Sequence, residues 1–154
     1  MHEPEATARI HRRLIDSLYT EAMLLADEAR AYFDEVGREE RHGLDPMARV
    51  TFSCESLKVT TRLMHIIAWL LTQRAVLVGE LAERDALDPS RRLGAAPQSD
   101  MEAVYRMPET ARRLVFASMD LHRRVAIQDA AQAGEMDNMR SPARAMMDRL
   151  NHAF

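Results

Sequence analysis

The fold of this 154-residue chain is decided by its middle stretch, residues 46–82, which reads PMARVTFSCESLKVTTRLMHIIAWLLTQRAVLVGELA. Apolar and small residues recur along it at alternating steps of three and four, and Asp45-Pro46 has the form of an N-cap and a first-turn proline. The repeating positions are Met47, Val50, Cys54, Leu57, Thr61, Met64, Ala68, Leu71, Ala75, Val78 and Ala82. This pattern is typical of a long bundle or coiled-coil helix, which we predict over residues 46–85.

The centre of this predicted helix is apolar all round. From Leu63 to Leu71 nearly every residue is apolar, and a helix without a polar stripe is normally enclosed by protein. The side that carries Ile66, Trp69 and Leu70 should therefore be covered, either by a second copy of the chain or by the long connection that follows the helix. We assign these three residues to a dimer interface as a hypothesis.

Two further helices flank the middle one. The first is predicted over residues 7–36, because apolar residues recur three and four apart on one face and Gly37 stands where a left-handed residue would end the helix. The third is predicted over 108–132, with a core stripe from Ala111 to Val125. The proline- and glycine-containing segment 86–107 between the second and third helices is expected to be a mobile connection.

These elements predict an all-α, antiparallel three-helix bundle with long helices over residues 1–134, which we expect to form a homodimer. Residues 135–154 are predicted to be a tail with one short amphipathic helix. In the tail, Met146, Met147, Leu150 and Phe154 fall on a common apolar side. Flexible methionine-rich surfaces suit varied partners, but the same residues would equally suit a helix that docks on its own bundle.

Composition excludes several classes of protein. With 47% hydrophobic and 29% charged residues, the chain is not disordered, and its net charge of −3 gives no general attraction to nucleic acid. A single cysteine excludes an internal disulfide and a cysteine-based zinc site. The acidic N-terminus has no apolar stretch like that of a signal peptide, and the most apolar run is too short to span a membrane. We expect a cytoplasmic protein.

Catalytic motifs are absent from the sequence, which contains no glycine-rich phosphate loop, no Gly-x-Ser-x-Gly and no His-Glu-x-x-His. Glu39 and His42 have the spacing of a di-metal ligand pair, but a di-metal site in a bundle needs a second such pair and two more glutamates. This pair also lies in a short polar connection, a loop that we predict over residues 38–43. We predict no catalytic residue, cofactor or metal. The alternative is a small helical enzyme whose arginine-lined pocket, near Arg62 and Arg74, binds a carboxylate substrate. A DNA-binding regulator is disfavoured by the charge balance.

Four arginines of the third helix form a second candidate surface. Arg112 and Arg113 precede Arg123 and Arg124 by eleven residues, about three turns, so both pairs lie on one face with Phe116 between them. Arginine and aromatic side chains carry much of the energy at interfaces, which favours a docking patch. A solvated basic face that complements the acidic first helix would show the same pattern.

The chain resembles a known family in its first two helices. The stretches ESLKVTTRLM (residues 55–64) and AWLLTQRAV (68–76) are similar to the alphaproteobacterial RcdA family, the regulator of CtrA degradation. YTEA (19–22) and EARAY (28–32) in the first helix look similar too. The similarity is weak after about residue 85, so it covers the scaffold and says little about the segments that follow.

The resemblance implies a non-enzymatic adaptor. Members of the RcdA family are dimers of three-helix bundles with mobile peripheral segments, and they deliver cell-cycle regulators to the ClpXP protease together with a response-regulator partner. It therefore implies ClpX, a response-regulator-like protein and a protein cargo as partners, in a cytoplasmic protein that is recruited to a cell pole. No catalytic residues are transferred by the resemblance.

Overall fold

Three helices of 32 residues each dominate the structure, a computed structural model that describes residues 3–140 and 142–153. They are α1 (Glu3–Asp34), α3 (Pro46–Leu77) and α6 (Glu109–Arg140). Shorter elements lie between and after them: α2 (Val36–His42), α4 (Glu83–Ala86), a 3₁₀ turn (Pro89–Arg91), α5 (Met101–Arg106) and α7 (Pro142–Ala153). No strand occurs in these described ranges. The predicted all-α fold is confirmed.

The core lies between the three long helices. The predicted stripe of α1 is buried at Leu18, Ala22 and Leu25, and that of α6 at Leu114 and Leu121. Other buried apolar side chains are Ile15, Ala29, Tyr32, Phe52, Val59, Leu63, Ile66, Trp69, Leu70, Ala86, Val104, Met107, Ala111, Val115 and Val125. Since α1 and α6 each bury one face and expose the other, their patterns follow the ordinary amphipathic rule.

The long helices do not all alternate in direction. Arg12, near the start of α1, donates to the carbonyl of Leu77 at the end of α3, so these two helices are antiparallel. Arg113 and Arg124 of α6 pair with Glu28 and Glu21 of α1, in the reverse order along the chain, so α1 and α6 are antiparallel as well.

The pair α3 and α6 runs in one direction. Arg62 donates to Ser118 and Trp69 donates to Asp129, so both contacts advance together along the two helices. The predicted antiparallel arrangement thus holds for α1 against its neighbours and not between α3 and α6. The reason is the segment between them, which returns the chain along the length of the bundle.

The two ends of α3 have clear chemical causes. At its start the Asp45 side chain accepts from the Ala48 N–H at 2.8 Å, with Pro46 in the first turn, as the sequence predicts. At its end Gly79 has a φ of +81°, and the N–H of Glu80 bonds the carbonyl of Ala75 at 2.9 Å. This is a Schellman motif. The helix therefore ends at Leu77 and not at the predicted residue 85.

Other boundaries also differ from the prediction. Gly37 does not terminate a helix with a left-handed conformation; it is buried within α2, and the short segment expected to be an irregular connection is helical. α6 continues to Arg140, past the predicted end at 132, because the alanine-rich segment 130–133 favours helix. α7 lies where the sequence predicts a short amphipathic helix in the tail.

Candidate interaction surfaces

α3 has two apolar faces. The face toward the core consists of Phe52, Glu55, Val59, Arg62, Leu63, Ile66, Trp69, Leu70 and Gln73. Successive residues of a helix are about 100° apart, which places the repeating positions noted in the sequence on the opposite side. We call these ten residues the α3 seam: Met47, Val50, Cys54, Leu57, Thr61, Met64, Ala68, Leu71, Ala75 and Val78. The two faces together explain why the centre of this helix is apolar all round.

The α3 seam is open to solvent. Met47 is 75% exposed, Leu57 67%, Met64 64% and Val78 66%. Large side chains exposed at this level along a whole helix exceed the scattered apolar residues of an ordinary surface. The α3 seam is therefore a candidate interaction surface.

The predicted dimer interface is wrong in its residues. Ile66, Trp69 and Leu70 are 0%, 2% and 0% exposed and lie in the core of a single chain. The chain itself covers them, since α3 packs against α1 and α6, and Arg92 of the long connection binds the same Asp129 carboxylate that accepts from the Trp69 indole. The sequence allows two elements to cover this side of α3, a second copy or the long connection, and the structure contains the long connection.

That cover is made by residues 92–100, which we call the strap. At its upper end Arg92 binds the carboxylate of Asp129 with two hydrogen bonds, at 2.8 and 2.9 Å. The same carboxylate accepts from the Trp69 indole at 2.9 Å. Although burial alone would raise the pKa of Asp129, the bonds from Arg92 and Trp69 hold it below its ordinary value. One carboxylate thus joins the strap, α3 and α6.

Further along, the strap follows the groove between α3 and α6. The Gly94 carbonyl accepts from His122 Nε2 at 3.0 Å, and the Pro97 carbonyl accepts from Arg62 at 2.9 Å. The strap is therefore bonded to both helices in turn. That the connection is mobile in solution stays a prediction.

At the lower end of the strap a buried ion network replaces apolar packing. Glu55, 1% exposed, accepts from the Asp100 N–H at 3.1 Å and from Lys58 at 2.8 Å. Burial would raise the pKa of Glu55, but its hydrogen bonds to Lys58, Ser99 and the Asp100 N–H lower it. Burial lowers the pKa of Arg62, whose charge faces Glu55. The seam pattern does not predict this network, although Glu55, Arg62 and Trp69 recur at steps of seven on one face.

The arginine-pocket alternative finds little support in this geometry. An open depression of about 320 Å³ lies beside Arg62, between the strap and α6. The Arg62 guanidinium already donates to Ser118, Ser99 and the Pro97 carbonyl. Arg74 stands elsewhere, half-exposed over the Tyr19 ring with 4.4 Å from its guanidinium carbon to the ring centroid. The two arginines do not converge on one pocket.

The arginine face of α6 is engaged within the chain. Arg113 pairs with Glu28, and Arg124 pairs with both Glu21 and Asp120. The hydrogen bonds to Glu28 and Glu21 raise the pKa of Arg113 and of Arg124. These contacts match the alternative of a basic face that complements the acidic α1.

The remaining members of that face are also in contact with the chain. Arg123 pairs with Asp120 at 2.7 Å, Arg112 donates to the Tyr105 carbonyl at 3.4 Å, and the Phe116 ring lies 5.8 Å from that of Tyr105, centroid to centroid. Phe116 is half-buried. Docking of a partner on this face stays a prediction.

The tail carries a second exposed apolar surface. Met146, Met147 and Leu150 of α7 are 67%, 63% and 55% exposed. Their spacing places them on one side of the helix. Phe154, predicted to join them, lies outside the described residues.

No group of three or more His, Cys, Asp or Glu side chains suited to a metal ion is found in the described part of the chain. Glu39 and His42 lie on α2, and not in a loop as predicted. Across the same residues, none of the helices combines the length and the apolar character that crossing a membrane requires.

Comparisons with known proteins show the family to which the chain belongs. A model of the family described as "Protein of unknown function (DUF1465)" matches residues 6–154. The crystal structure of RcdA from Caulobacter crescentus CB15 is similar to this chain with a TM-score of 0.65 and 32% sequence identity, over 77% of this chain and 90% of that one. The chain belongs to the RcdA family. The comparison with curated proteins gave no match.

The resemblance read from α1 and α3 is thus confirmed. In this RcdA-family chain the α3 segments that carry the resemblance include residues of both the core face and the α3 seam. An adaptor-like role at the level of the family follows from it.

Proposed function

We propose that this RcdA-family protein is a non-enzymatic adaptor that delivers regulatory proteins to the ClpXP protease in cell-cycle control. The observation that carries the proposal is the 32% identity to RcdA over 77% of the chain. The exposed apolar surfaces on α3 and α7 support it, because an adaptor acts through surfaces that bind other proteins. Glu55 and Arg62 of the buried network bond the strap at Asp100, Ser99 and Pro97, which fits a structural role better than a catalytic one.

The adaptor works by effective concentration. Holding a protein cargo beside ClpX raises their rate of encounter without any chemistry by the adaptor itself. Its partners are ClpX, a response-regulator-like protein that primes the protease, and the cargo. We place this activity in the cytoplasm, with recruitment to a cell pole.

The apolar side of α7 is the partner-binding surface we favour. Met147 and Leu150 are large apolar side chains exposed on one side of α7. The arginine face around Phe116 is a weaker candidate, since its charges are paired with α1 and Asp120.

The adaptor is a homodimer in this proposal. The α3 seam takes the place of Ile66, Trp69 and Leu70 as the contact surface, because it is the exposed apolar face of the helix. Two copies in one assembly would double the number of tails available to the protease.

A reconstituted degradation assay tests the proposal. Purified ClpX, ClpP, the response-regulator partner and labelled CtrA are mixed with and without the chain, and the half-life of CtrA is measured. We expect the chain to shorten that half-life, and an unchanged half-life would overturn the adaptor function.

Variants of α7 locate the surface in the same assay. Met147→Glu combined with Leu150→Glu should return the CtrA half-life toward its value without adaptor, whereas Arg149→Glu, an exposed neighbour, should not. If the double variant delivers CtrA as well as the original chain, the role of α7 is wrong while the adaptor function stands.

A further inference from the structure

The open depression between the strap, α3 and α6 has a cationic lining. Its volume is about 320 Å³, and its lining includes Arg62 of α3 together with His122 and Arg123 of α6. Among the described residues that line it, none is an aspartate or a glutamate. Every formal charge on the lining is therefore positive. A concave surface with charges of one sign attracts ligands of the opposite sign, so the depression favours an anion.

Arg62 contributes a buried positive charge that its surroundings do not cancel. It is 1% exposed, and Glu55, the carboxylate that faces it, also binds Lys58 at 2.8 Å. Two cations share one anion in this group, which leaves a net charge of +1. The groups to which Arg62 donates are uncharged: the Pro97 carbonyl and the hydroxyls of Ser99 and Ser118. Since protein screens a charge less than water does, Arg62 adds to the attraction for an anion.

Arg123 supplies the cation that a ligand can reach. Its side chain is exposed and pairs at 2.7 Å with Asp120, which also binds Arg124 at 2.9 Å. The last residue of the strap, Asp100, does not line the depression, because its carboxylate accepts from the Ala103 N–H as the N-cap of α5. An arginine has five N–H donors, so Arg123 keeps donors for a ligand besides its bond to Asp120.

The other walls of the depression are mostly apolar. Met101 and Met119, both half-buried, line it with Pro97, and Gln98 and Ser99 add neutral polar groups. Methionine packs well against aromatic rings. Apolar walls with a few polar groups are typical of sites for small molecules, whose volumes run from roughly 300 to 1,000 Å³. A depression at the lower end of that range suits a molecule with a single ring.

We propose that this depression binds a small organic anion, a molecule with one ring and one phosphate or carboxylate group. The anionic group lies toward Arg123 and Arg62, and the ring packs against Met101 and Met119. Such a ligand contacts α3, the strap and α6 together, and its binding involves no covalent step. The inference goes beyond the adaptor function and does not depend on it.

Nuclear magnetic resonance of the methionine methyl groups tests the site in the full chain. Phenyl phosphate and benzoate are the two probes, titrated at a physiological ionic strength of about 0.15 M. We expect saturable shifts of the Met101 and Met119 signals with at least one probe, and none for Met64, which is exposed on the opposite face of α3. Replacing each methionine by leucine assigns its signal, and the tighter probe identifies the anionic group.

Arg123→Gln removes the accessible cation and should weaken the binding of that probe about tenfold, as the loss of one charge-assisted hydrogen bond does. Arg106→Gln is the matched control. Arg106 is also exposed and pairs with one acid of its own helix, Glu102 at 3.4 Å, but it lies outside this depression. Its replacement should leave the affinity unchanged. Thermal unfolding establishes that both variants are folded.

Probes that carry only half of the ligand test its chemical class. Inorganic phosphate and acetate have no ring and should bind more weakly than the tighter probe, and uncharged benzyl alcohol should not shift the two methionine signals. The absence of shifts with both ring-bearing anions would overturn the site. Equal binding of benzyl alcohol would overturn the role of the charge, and equal binding of the bare anions that of the ring. Equal weakening by Arg106→Gln would mean a diffuse attraction and no site in this depression.

Discussion

Single polar residues decide how the strap lies on the bundle. Asp129 receives bonds from Arg92 and Trp69, and Glu55 receives one from the Asp100 N–H. Each of these carboxylates is buried or nearly so, and a buried carboxylate without its donors would be costly. The strap therefore lies where its N–H groups and Arg92 meet these acids.

The pH dependence of stability should report the Asp129 contacts. Because the pKa of Asp129 is lower in the folded chain than in the unfolded one, the folded state keeps this carboxylate charged to lower pH. Its contribution is present above the ordinary aspartate pKa of about 3.9 and is lost as the pH falls through the lower folded value. Asp129→Asn should reduce the unfolding free energy at neutral pH and flatten its acid decline. The measurement is urea unfolding followed by Trp69 fluorescence.

Asp120 offers a control for that prediction. Its pKa is also lowered by bonds to Arg123 and Arg124, but it is exposed. Asp120→Asn should change the acid decline much less, since solvent screens an exposed pair. Equal effects of the two substitutions would contradict the role assigned to the buried carboxylate.

Helix α3 shows which features the sequence could predict and which it could not. Its start at Asp45-Pro46, its seam and its apolar centre follow from local pattern. Local pattern does not predict which of the two faces of α3 the chain covers, because the core face includes Glu55 and Arg62. The partners of these two residues come from the distant strap. Local periodicity contains no information about such partners. For the same reason the sequence pattern favours a dimer interface, and not the core, for Ile66, Trp69 and Leu70.

The end of α3 gives a prediction at the scale of the element. Gly79→Ala should lower the unfolding free energy by about 1–2 kcal/mol, because alanine is strained at the φ of +81° that the Schellman motif requires. Gly43→Ala is the control, since Gly43 has a φ of −76° and an added Cβ would meet only an ordinary contact. Thermal unfolding of both variants checks this, and equal losses would show that the left-handed conformation is not the cause.

The whole molecule is a bundle whose core is complete within one chain, with an apolar surface left over. The sequence predicts the apolar side of the tail helix but leaves open whether it faces solvent or the bundle, and the residues that it assigns to a dimer interface lie in the core. The sequence does not predict whether the arginine face pairs with α1 or binds another protein, because the arginines would have the same spacing in both cases. The acidic residues of α1 are the signal that favoured the internal pairing.

Concentration dependence of unfolding tests the assembly as a whole. If the α3 seam joins two copies, the Tm of the unmodified chain should rise with protein concentration. Leu57→Asp should remove that rise, because it places a charge in the seam, while barely changing the stability of the monomer, since Leu57 is 67% exposed. Calorimetry over a hundredfold range of concentration is the measurement.

Leu24→Asp is the matched control for the seam. Leu24 is 65% exposed on α1 and lies outside the α3 seam. It should leave the concentration dependence of the Tm intact. Loss of that dependence in both variants would mean that the interface is not confined to α3.

The parallel course of α3 and α6 has a consequence for how the chain folds. Contacts between Arg62 and Ser118 and between Trp69 and Asp129 join residues 56 and 60 positions apart. Such distant contacts raise the contact order, and loops must close before they form. We therefore expect slower refolding than in a bundle of equal size whose successive helices are antiparallel neighbours, with the docking of α6 as the late step.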